Sequence, residues 1–229
     1  MKEINATEIK RFDNWTVLIY SEPGKGKTSM VKTLEGNTVV FSVDGMYHVL
    51  SQLPNIKILA MDPKKPSEDL GDFYRYLLKN LKHIDNIVID NISTFQKYWL
   101  NDRAKSTTSG MPEIKDYPVY DRVILDFTSS LKTLKKNLVL FAHEKSVEVT
   151  KTSGAVYTQF QPDTRNMDAI MGIVPLVGRL VIRKNEETQE KERIIILQPS
   201  QTTKAKDQLI GNLETIGQME LFKTLKGEK

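Results

Sequence analysis

The chain has 229 residues, of which 39% are hydrophobic and 27% charged, and its formal net charge is +4. This length and composition are typical of a globular protein with one sizeable core. The chain contains no cysteine, which excludes disulfides, thiolate catalysis and zinc–thiolate sites. Because the sequence also shows no membrane-length apolar run and no signal-peptide core, we expect a cytoplasmic protein.

Short apolar runs alternate with longer helical patterns, which is typical of βαβ units and a parallel sheet. The apolar runs predict strands over 15–20, 37–44, 86–90 and 138–144. Helical spacing predicts helices over 27–34, 67–82, 93–104 and 121–137, with a loop over 107–118. Alternating polar and apolar residues then predict two antiparallel hairpins, 146–151 with 156–161 and 178–184 with 193–199.

No internal repeat or linker divides the sequence. We therefore predict one α/β domain over 15–215, preceded by a lead segment over 1–14 and followed by a C-terminal tail over 216–229.

The stretch YSEPGKGKTSM, residues 20–30, ends in the tail of the P-loop pattern G-x-x-x-x-G-K-[S/T]. In such loops, glycines let backbone N–H groups point at phosphate oxygens, and the lysine supplies positive charge. Ser21 occupies the position of the first glycine, and this affects the turn more than the cradle because Gly24 lies inside the loop. A flexible lysine-rich turn is the alternative. The predicted nucleotide-binding residues are Glu22, Pro23, Gly24, Lys25, Gly26, Lys27, Thr28 and Ser29.

The segment NIVIDNIS places Asp90 at the end of an apolar strand, as in a Walker B element. There the carboxylate holds Mg²⁺, and the Thr28 hydroxyl is the second predicted metal ligand. An aspartate in this position can also simply cap the next helix. TKAKD, residues 203–207, imitates the guanine motif N/T-K-x-D, but its aspartate falls one residue late. ATP is therefore the preferred nucleotide.

In the order of these motifs, the chain resembles the RecA-type ATPase core. It is most similar to the phage nucleotide-binding proteins of the Sak single-strand-annealing group, over about 15–213. The resemblance implies a RecA-like P-loop fold, with a mostly parallel central sheet flanked by helices and antiparallel hairpins near the C-terminus. It also implies an ATPase, with ATP and Mg²⁺ as ligands and DNA-stimulated hydrolysis. The expected role is phage-type recombination or strand annealing in the host cytoplasm.

The resemblance also assigns roles to single residues near the phosphates. Asp44 follows the second strand, where recombinases carry a catalytic glutamate that orients the attacking water. His143 ends the fourth predicted strand, at the position of a polar sensor of the γ-phosphate. Lys27 completes the catalytic set. Lys204 and Lys206 correspond to lysines that reach the γ-phosphate of a neighbouring subunit, which implies a homo-oligomer, either a ring or a filament.

The DNA-binding loops of RecA proteins correspond to 105–118 and 145–165 in this chain. Cations suit the phosphates of single-stranded DNA and aromatic rings suit its bases. The predicted DNA-binding residues are Lys145, Lys151, Tyr157, Phe160 and Arg165. An ordinary exposed hairpin is the alternative. A single-strand-binding protein is a further expected partner.

Two other functions remain open from the sequence. In one, the protein anneals DNA and uses ATP only as a conformational ligand; Asp44 in place of glutamate favours this function. In the other, the protein is a P-loop kinase for a small molecule. The sequence has no obvious arginine-rich lid, which counts against the kinase.

Overall fold

A central sheet organises the part of the chain that the computed structural model describes, which is residues 5, 7, 13–185, 188–211 and 213–227. Most of the predicted lead segment, 1–14, lies outside these residues. The strands are β1 (Thr16–Ser21), β2 (Thr38–Ser42), β3 (Ile56–Ala60), β4 (Asn86–Asp90), β5 (Asn137–Thr150), β6 (Val156–Pro162), β7 (Leu176–Lys184), β8 (Lys191–Ile196), β9 (Lys206–Asp207) and β10 (Thr215–Gly217). The α-helices are α1 (Pro66–Asn80), α2 (Ile92–Ala104), α3 (Asp116–Thr133), α4 (Met167–Ile173) and α5 (Leu221–Thr224). Short 3₁₀ helices cover Thr28–Thr33, His48–Leu50 and Leu81–His83.

The strand order is β10-β8-β7-β1-β5-β4-β2-β3, with β6 paired to β5 and β9 paired to β7. The pairs from β7 through β1, β5, β4 and β2 to β3 are parallel. The β7–β8, β8–β10 and β5–β6 pairs are antiparallel. This topology confirms the mixed α/β fold that the sequence predicts, with a mostly parallel centre and antiparallel strands near the C-terminus.

The core lies on both faces of the sheet, as a parallel sheet requires. Both β1 and β4 are buried along their whole length, which explains why the sequence shows them as continuous apolar runs. The helices α1 to α4 cover one face. The 3₁₀ helix after β1 and the helix α5 cover the other face.

Several elements differ from the sequence prediction. The segment predicted as a helix over 27–34 is a six-residue 3₁₀ helix. Three of those six residues are β-branched, which disfavours an α-helix, and Gly36 with φ of +83° turns the chain away soon afterwards. Helix α3 begins at Asp116, inside the predicted loop. Sequence patterns gave no indication of β3, α4, β9, β10 or α5.

The segment predicted as a C-terminal tail, 216–229, contributes to the core. β10 pairs with β8, and the α5 region buries Leu221, Phe222 and Leu225. The Phe222 ring stacks on Trp15 with a centroid distance of 5.5 Å. Among the described residues, none of the helices combines the length and apolar character needed to cross a bilayer.

Candidate functional site

The parallel strands β1, β2, β4 and β5 bring their carboxyl-terminal ends to one edge of the sheet, the usual place for ligand sites in open α/β folds. A cavity of about 620 Å³ lies there. Its volume suits a ligand of nucleotide size. It is lined by Pro23, Gly24, Gly26, Lys27, Thr28, Ser29, Asp44, Met46, Val49, Asp90, Asn91, Thr94 and His143.

Lys27 is buried and lines this cavity, and its ammonium group forms hydrogen bonds with the first residues of the P-loop. Its Nζ donates to Ser21 O at 3.0 Å, to Ser21 Oγ at 2.8 Å and to Glu22 O at 3.2 Å. Burial lowers the pKa of Lys27 to about 8, although the nearby Asp90 and Asp44 favour its charged form. The hydroxyl that replaces the first P-loop glycine therefore acts as an acceptor for the P-loop lysine.

Two side chains, one from β8 and one from the residue after β10, donate hydrogen bonds to P-loop carbonyls. These carbonyls define the outer side of the loop. Arg193 Nε donates to Lys25 O at 3.1 Å, and Gln218 Nε2 donates to Gly26 O at 2.6 Å. Gly26 has φ of +104°, and a Cβ there would lie 2.7 Å from Gln218 Nε2, so the contact requires glycine. Sequence reasoning missed both side chains, and no local motif marks them.

Thr28 and Asp90 lie together, as the Walker A and Walker B predictions imply. Thr28 Oγ1 donates to Asp90 Oδ2 at 2.6 Å. Burial raises the pKa of Asp90 to about 6, against the opposing effect of the Thr28 hydrogen bond. A hydroxyl and a carboxylate in contact are a donor set that suits Mg²⁺. These two residues would hold that ion.

Asp44 also lines the cavity, and two hydrogen-bond donors hold its carboxylate in place. Asn91 Nδ2 donates to Asp44 Oδ2 at 2.8 Å, and Met46 N donates to Asp44 Oδ1 at 3.0 Å. Asn91 Oδ1 also accepts from Thr94 N at 2.8 Å and so caps α2. Sequence reasoning missed Asn91, although it directly follows the Walker B aspartate.

His143 lies on β5 opposite Ser21 of β1, three residues beyond the last β5 residue that pairs with β4. Its N donates to Ser93 Oγ at 2.8 Å, and its Nε2 lies 3.4 Å from Thr94 Oγ1. Its Nδ1 is buried and has no hydrogen-bond partner within the described part of the chain. Burial, followed by the charge of Lys27, lowers the pKa of His143, so the ring is neutral near pH 7. The residue lines the cavity, which places it beside a bound ligand.

Lys204 and Lys206 do not line the cavity of their own chain. Lys204 Nζ pairs with Asp168 Oδ1 at 3.1 Å. Lys206 Nζ donates to Met171 O at 2.9 Å. Both lysine side chains therefore contact α4.

Four of the predicted DNA-binding residues lie on the β5–β6 hairpin, and none of the four is buried: Lys145, Lys151, Tyr157 and Phe160. Lys151 Nζ lies 5.5 Å from the centre of the Tyr157 ring, so these two side chains are brought together. Lys145 Nζ is 3.8 Å from Asp163 Oδ1, a loose ion pair. The hairpin thus presents one cation, Lys151, beside an aromatic ring.

Phe160 and Arg165 make contacts within the chain. The centre of the Phe160 ring lies 3.6 Å from the Arg179 guanidinium carbon, and Arg179 forms a partly buried ion pair with Glu144 at 2.7 Å. Arg165 binds Asp121 through two hydrogen bonds of 3.1 and 3.2 Å. These residues connect the hairpin and the segment after it to the body of the protein.

The fold is RecA-like, and the cavity carries the residues of a P-loop nucleotide site. The sequence over residues 13–209 matches the family described as AAA domain, and the chain belongs to that family. In fold, the chain is similar to a KaiC-like protein from the hyperthermophilic archaeon Pyrococcus horikoshii, with a TM-score of 0.50 and 14% identity over 90% of this chain and 89% of that chain. None of the curated proteins matches the sequence.

Proposed function

We propose that the protein binds ATP together with Mg²⁺ and hydrolyses the bond between its β- and γ-phosphates, which releases ADP and inorganic phosphate. The observation that supports this most directly is the Thr28–Asp90 contact of 2.6 Å, with Lys27 and Asp44 lining the same cavity. A phosphate cradle, a pair of metal ligands and a carboxylate for water are the parts that phosphoryl transfer needs.

Each of these side chains has a separate task in the proposed reaction. The loop N–H groups and Lys27 bind the phosphate oxygens. Asp44, held by Asn91, orients the attacking water and accepts its proton. His143 lines the same cavity, and its lowered pKa favours a neutral ring that can sense the phosphates. Mg²⁺ bound by Thr28 and Asp90 would neutralise charge on the phosphates.

Steady-state ATP hydrolysis, measured with and without single-stranded DNA, tests this proposal. We expect Mg²⁺-dependent turnover in the wild type, none in Asp44→Asn, and loss of ATP binding in Lys27→Ala. The proposal fails if the wild type binds no ATP by calorimetry.

A second candidate function is DNA annealing in which ATP acts as a conformational ligand only. It is supported by the Asp44 carboxylate, which is shorter than glutamate and already engaged at both oxygens. ATP binding without turnover in the same assay would favour this function over hydrolysis.

We also propose single-stranded DNA as the partner and the β5–β6 hairpin as its binding surface. The support is the pairing of Lys151 with Tyr157 on a hairpin that continues from the cavity edge. Further copies of the chain would bring Lys204 and Lys206 to a neighbour's phosphates. Measuring the molar mass in solution with and without ATP and DNA tests this assembly. A monomer under all conditions would contradict it.

A further inference from the structure

The outer side of the P-loop is fastened to one point of the C-terminal part of the sheet. Arg193 on β8 donates to Lys25 O, and Gln218, next to β10, donates to Gly26 O. The two side chains come from directly facing positions, because Gln218 N donates to Arg193 O at 3.0 Å. Two consecutive peptide carbonyls of the loop are therefore held by one pair of strands.

Peptide geometry gives this contact a consequence for the inner side of the loop. A trans peptide is planar, so the N–H of one residue points opposite to the C=O of the residue before it. Fixing Lys25 O and Gly26 O therefore fixes the directions of the Gly26 and Lys27 N–H groups. Backbone N–H groups at this point of a P-loop are the donors that receive phosphate oxygens.

We propose that Arg193 and Gln218 are positioning residues for phosphate binding, which act by orienting the N–H groups of Gly26 and Lys27. This inference rests on the proposed binding of ATP. Gln218 is only 6% exposed, so water does not compete for the hydrogen bond between its amide and Gly26 O. Because Gln218 also links the loop to β10, nucleotide binding and the order of the C-terminal segment are coupled in both directions.

Calorimetry with Mg²⁺ and ATP on the full chain tests the proposal. Gln218→Ala and Arg193→Ala should each weaken binding about 3- to 10-fold, the range for one hydrogen bond, and the double variant should bind more weakly than either. Matched controls are Gln198→Ala, which loses a 3.2 Å bond to Leu213 O, and Arg183→Ala, which loses an ion pair with Glu192. These controls should stay within about twofold of the wild type.

A nearly isosteric variant separates orientation of the loop from simple packing. Gln218→Glu keeps the side-chain shape, but its ionised carboxylate cannot donate to Gly26 O and repels it. At pH 8 its ATP affinity should be about tenfold weaker than that of the wild type. Thermal unfolding without nucleotide is measured in parallel, and weak binding should occur in variants that remain folded at the assay temperature.

The outcomes distinguish this inference from the proposed function. If the wild type binds ATP, Lys27→Ala does not, and the Arg193 and Gln218 variants bind like the wild type, the positioning role is overturned and the function stands. If the wild type itself binds no ATP, both are overturned. Protection of residues 213–227 from hydrogen exchange by ATP in the wild type, and its loss in Gln218→Ala, would support the coupling.

Discussion

At the scale of single residues, the cavity holds two charged groups in an environment that disfavours charge. Burial lowers the pKa of Lys27 to about 8 and raises that of Asp90 to about 6. Each shift moves the group toward its neutral form, which shows that the protein alone does not fully compensate either charge. Phosphate and a metal ion would supply the missing partners. The site is thus arranged for a ligand at the expense of stability without one.

The raised pKa of Asp90 leads to a prediction about pH and stability. Between its ordinary pKa of 3.8 and about 6, the folded state binds more protons at Asp90 than the unfolded state does. The contribution of Asp90 to stability therefore falls as pH rises through this window. Asp90→Asn keeps an oxygen acceptor for Thr28 and removes the charge. Its free energy of unfolding should exceed that of the wild type by about 2–3 kcal/mol at pH 7, with little difference at pH 4.

Chemical denaturation from pH 4 to pH 7 without nucleotide measures this difference. If the free energies of unfolding of the two proteins changed with pH in the same way, ionisation of the buried Asp90 would not destabilise the folded protein.

Asn91 has two tasks that a single substitution can separate. Asn91→Asp keeps an oxygen for Thr94 N and so retains the cap of α2, but it replaces the donor to Asp44 with a second carboxylate. We expect kcat to fall about tenfold or more, because Asp44 loses its orientation, while ATP affinity changes less than about threefold. Steady-state kinetics and calorimetry give the two values.

Asn91→Ala is the comparison variant, since it loses the cap as well and should cost about 1 kcal/mol of stability. Turnover of Asn91→Asp at the wild-type rate would mean that the orientation of Asp44 does not limit the reaction.

At the scale of elements, β5 changes partners partway along its length. Up to His143 it pairs with β1, and from Glu144 onward it pairs with β6. The partly buried Glu144–Arg179 ion pair and the Phe160 ring beside it connect the base of the hairpin to β7. The base is therefore structural, and the exposed part beyond it is where a partner can bind.

If the hairpin binds single-stranded DNA, affinity should fall steeply with salt, because each neutralised phosphate releases counterions. Replacing Lys145 and Lys151 together by alanine should reduce the log–log salt slope by about one to two, at roughly 0.7 per contact. Tyr157→Ala should leave the slope unchanged and cost about 1–3 kcal/mol of binding if the ring stacks on a base. Fluorescence anisotropy of a labelled oligonucleotide at several salt concentrations measures both effects.

Phe160→Ala is the matched aromatic control, since its ring packs against Arg179. It should lower the melting temperature and leave DNA affinity within about twofold for the fraction that is folded. Equal losses of DNA affinity for Tyr157→Ala and Phe160→Ala, without loss of stability, would argue against this division of the hairpin.

The elements that end in the site could be predicted from the sequence because their signals are local. Strands β1, β4 and β5 are apolar runs, and Lys27 and Asp90 follow such runs at motif spacing. The edge strand β3 was missed because it is only half-buried and so lacks a continuous apolar run. The two residues that bond to the P-loop carbonyls could not be found from local signals. Arg193 and Gln218 lie 168 and 192 positions from the residues they contact, and no local pattern records such pairs.

At the scale of the whole molecule, the two ends of the described chain close the core together. Trp15 precedes β1, and its ring stacks on Phe222 of α5 at an interplanar angle of 8°. Both rings are almost fully buried. The C-terminal segment is therefore part of the cooperative unit that also carries the P-loop.

Phe222→Ala tests this closure. Loss of the ring should lower the free energy of unfolding by about 3–5 kcal/mol, because it leaves a cavity against Trp15. The exposed neighbour Lys223 provides the control, and Lys223→Ala should change stability by about 0.5 kcal/mol or less. Urea denaturation followed by tryptophan fluorescence measures both. Wild-type stability in Phe222→Ala would show that α5 folds independently of the core.

The continuity of β5 also sets a mechanical relation between the cavity and the hairpin. The seven residues of Glu144–Thr150 that follow His143 extend about 23 Å, at about 3.3 Å per residue. The partner strand β6 matches them residue by residue from Pro162 to Val156, so this stretch has no break at which it could bend. If the root of this stretch tilted by about 10°, its tip would move by about 4 Å. A displacement at the phosphate edge that is too small to change the core would thus become, at the hairpin tip, a shift about as large as the spacing between stacked bases.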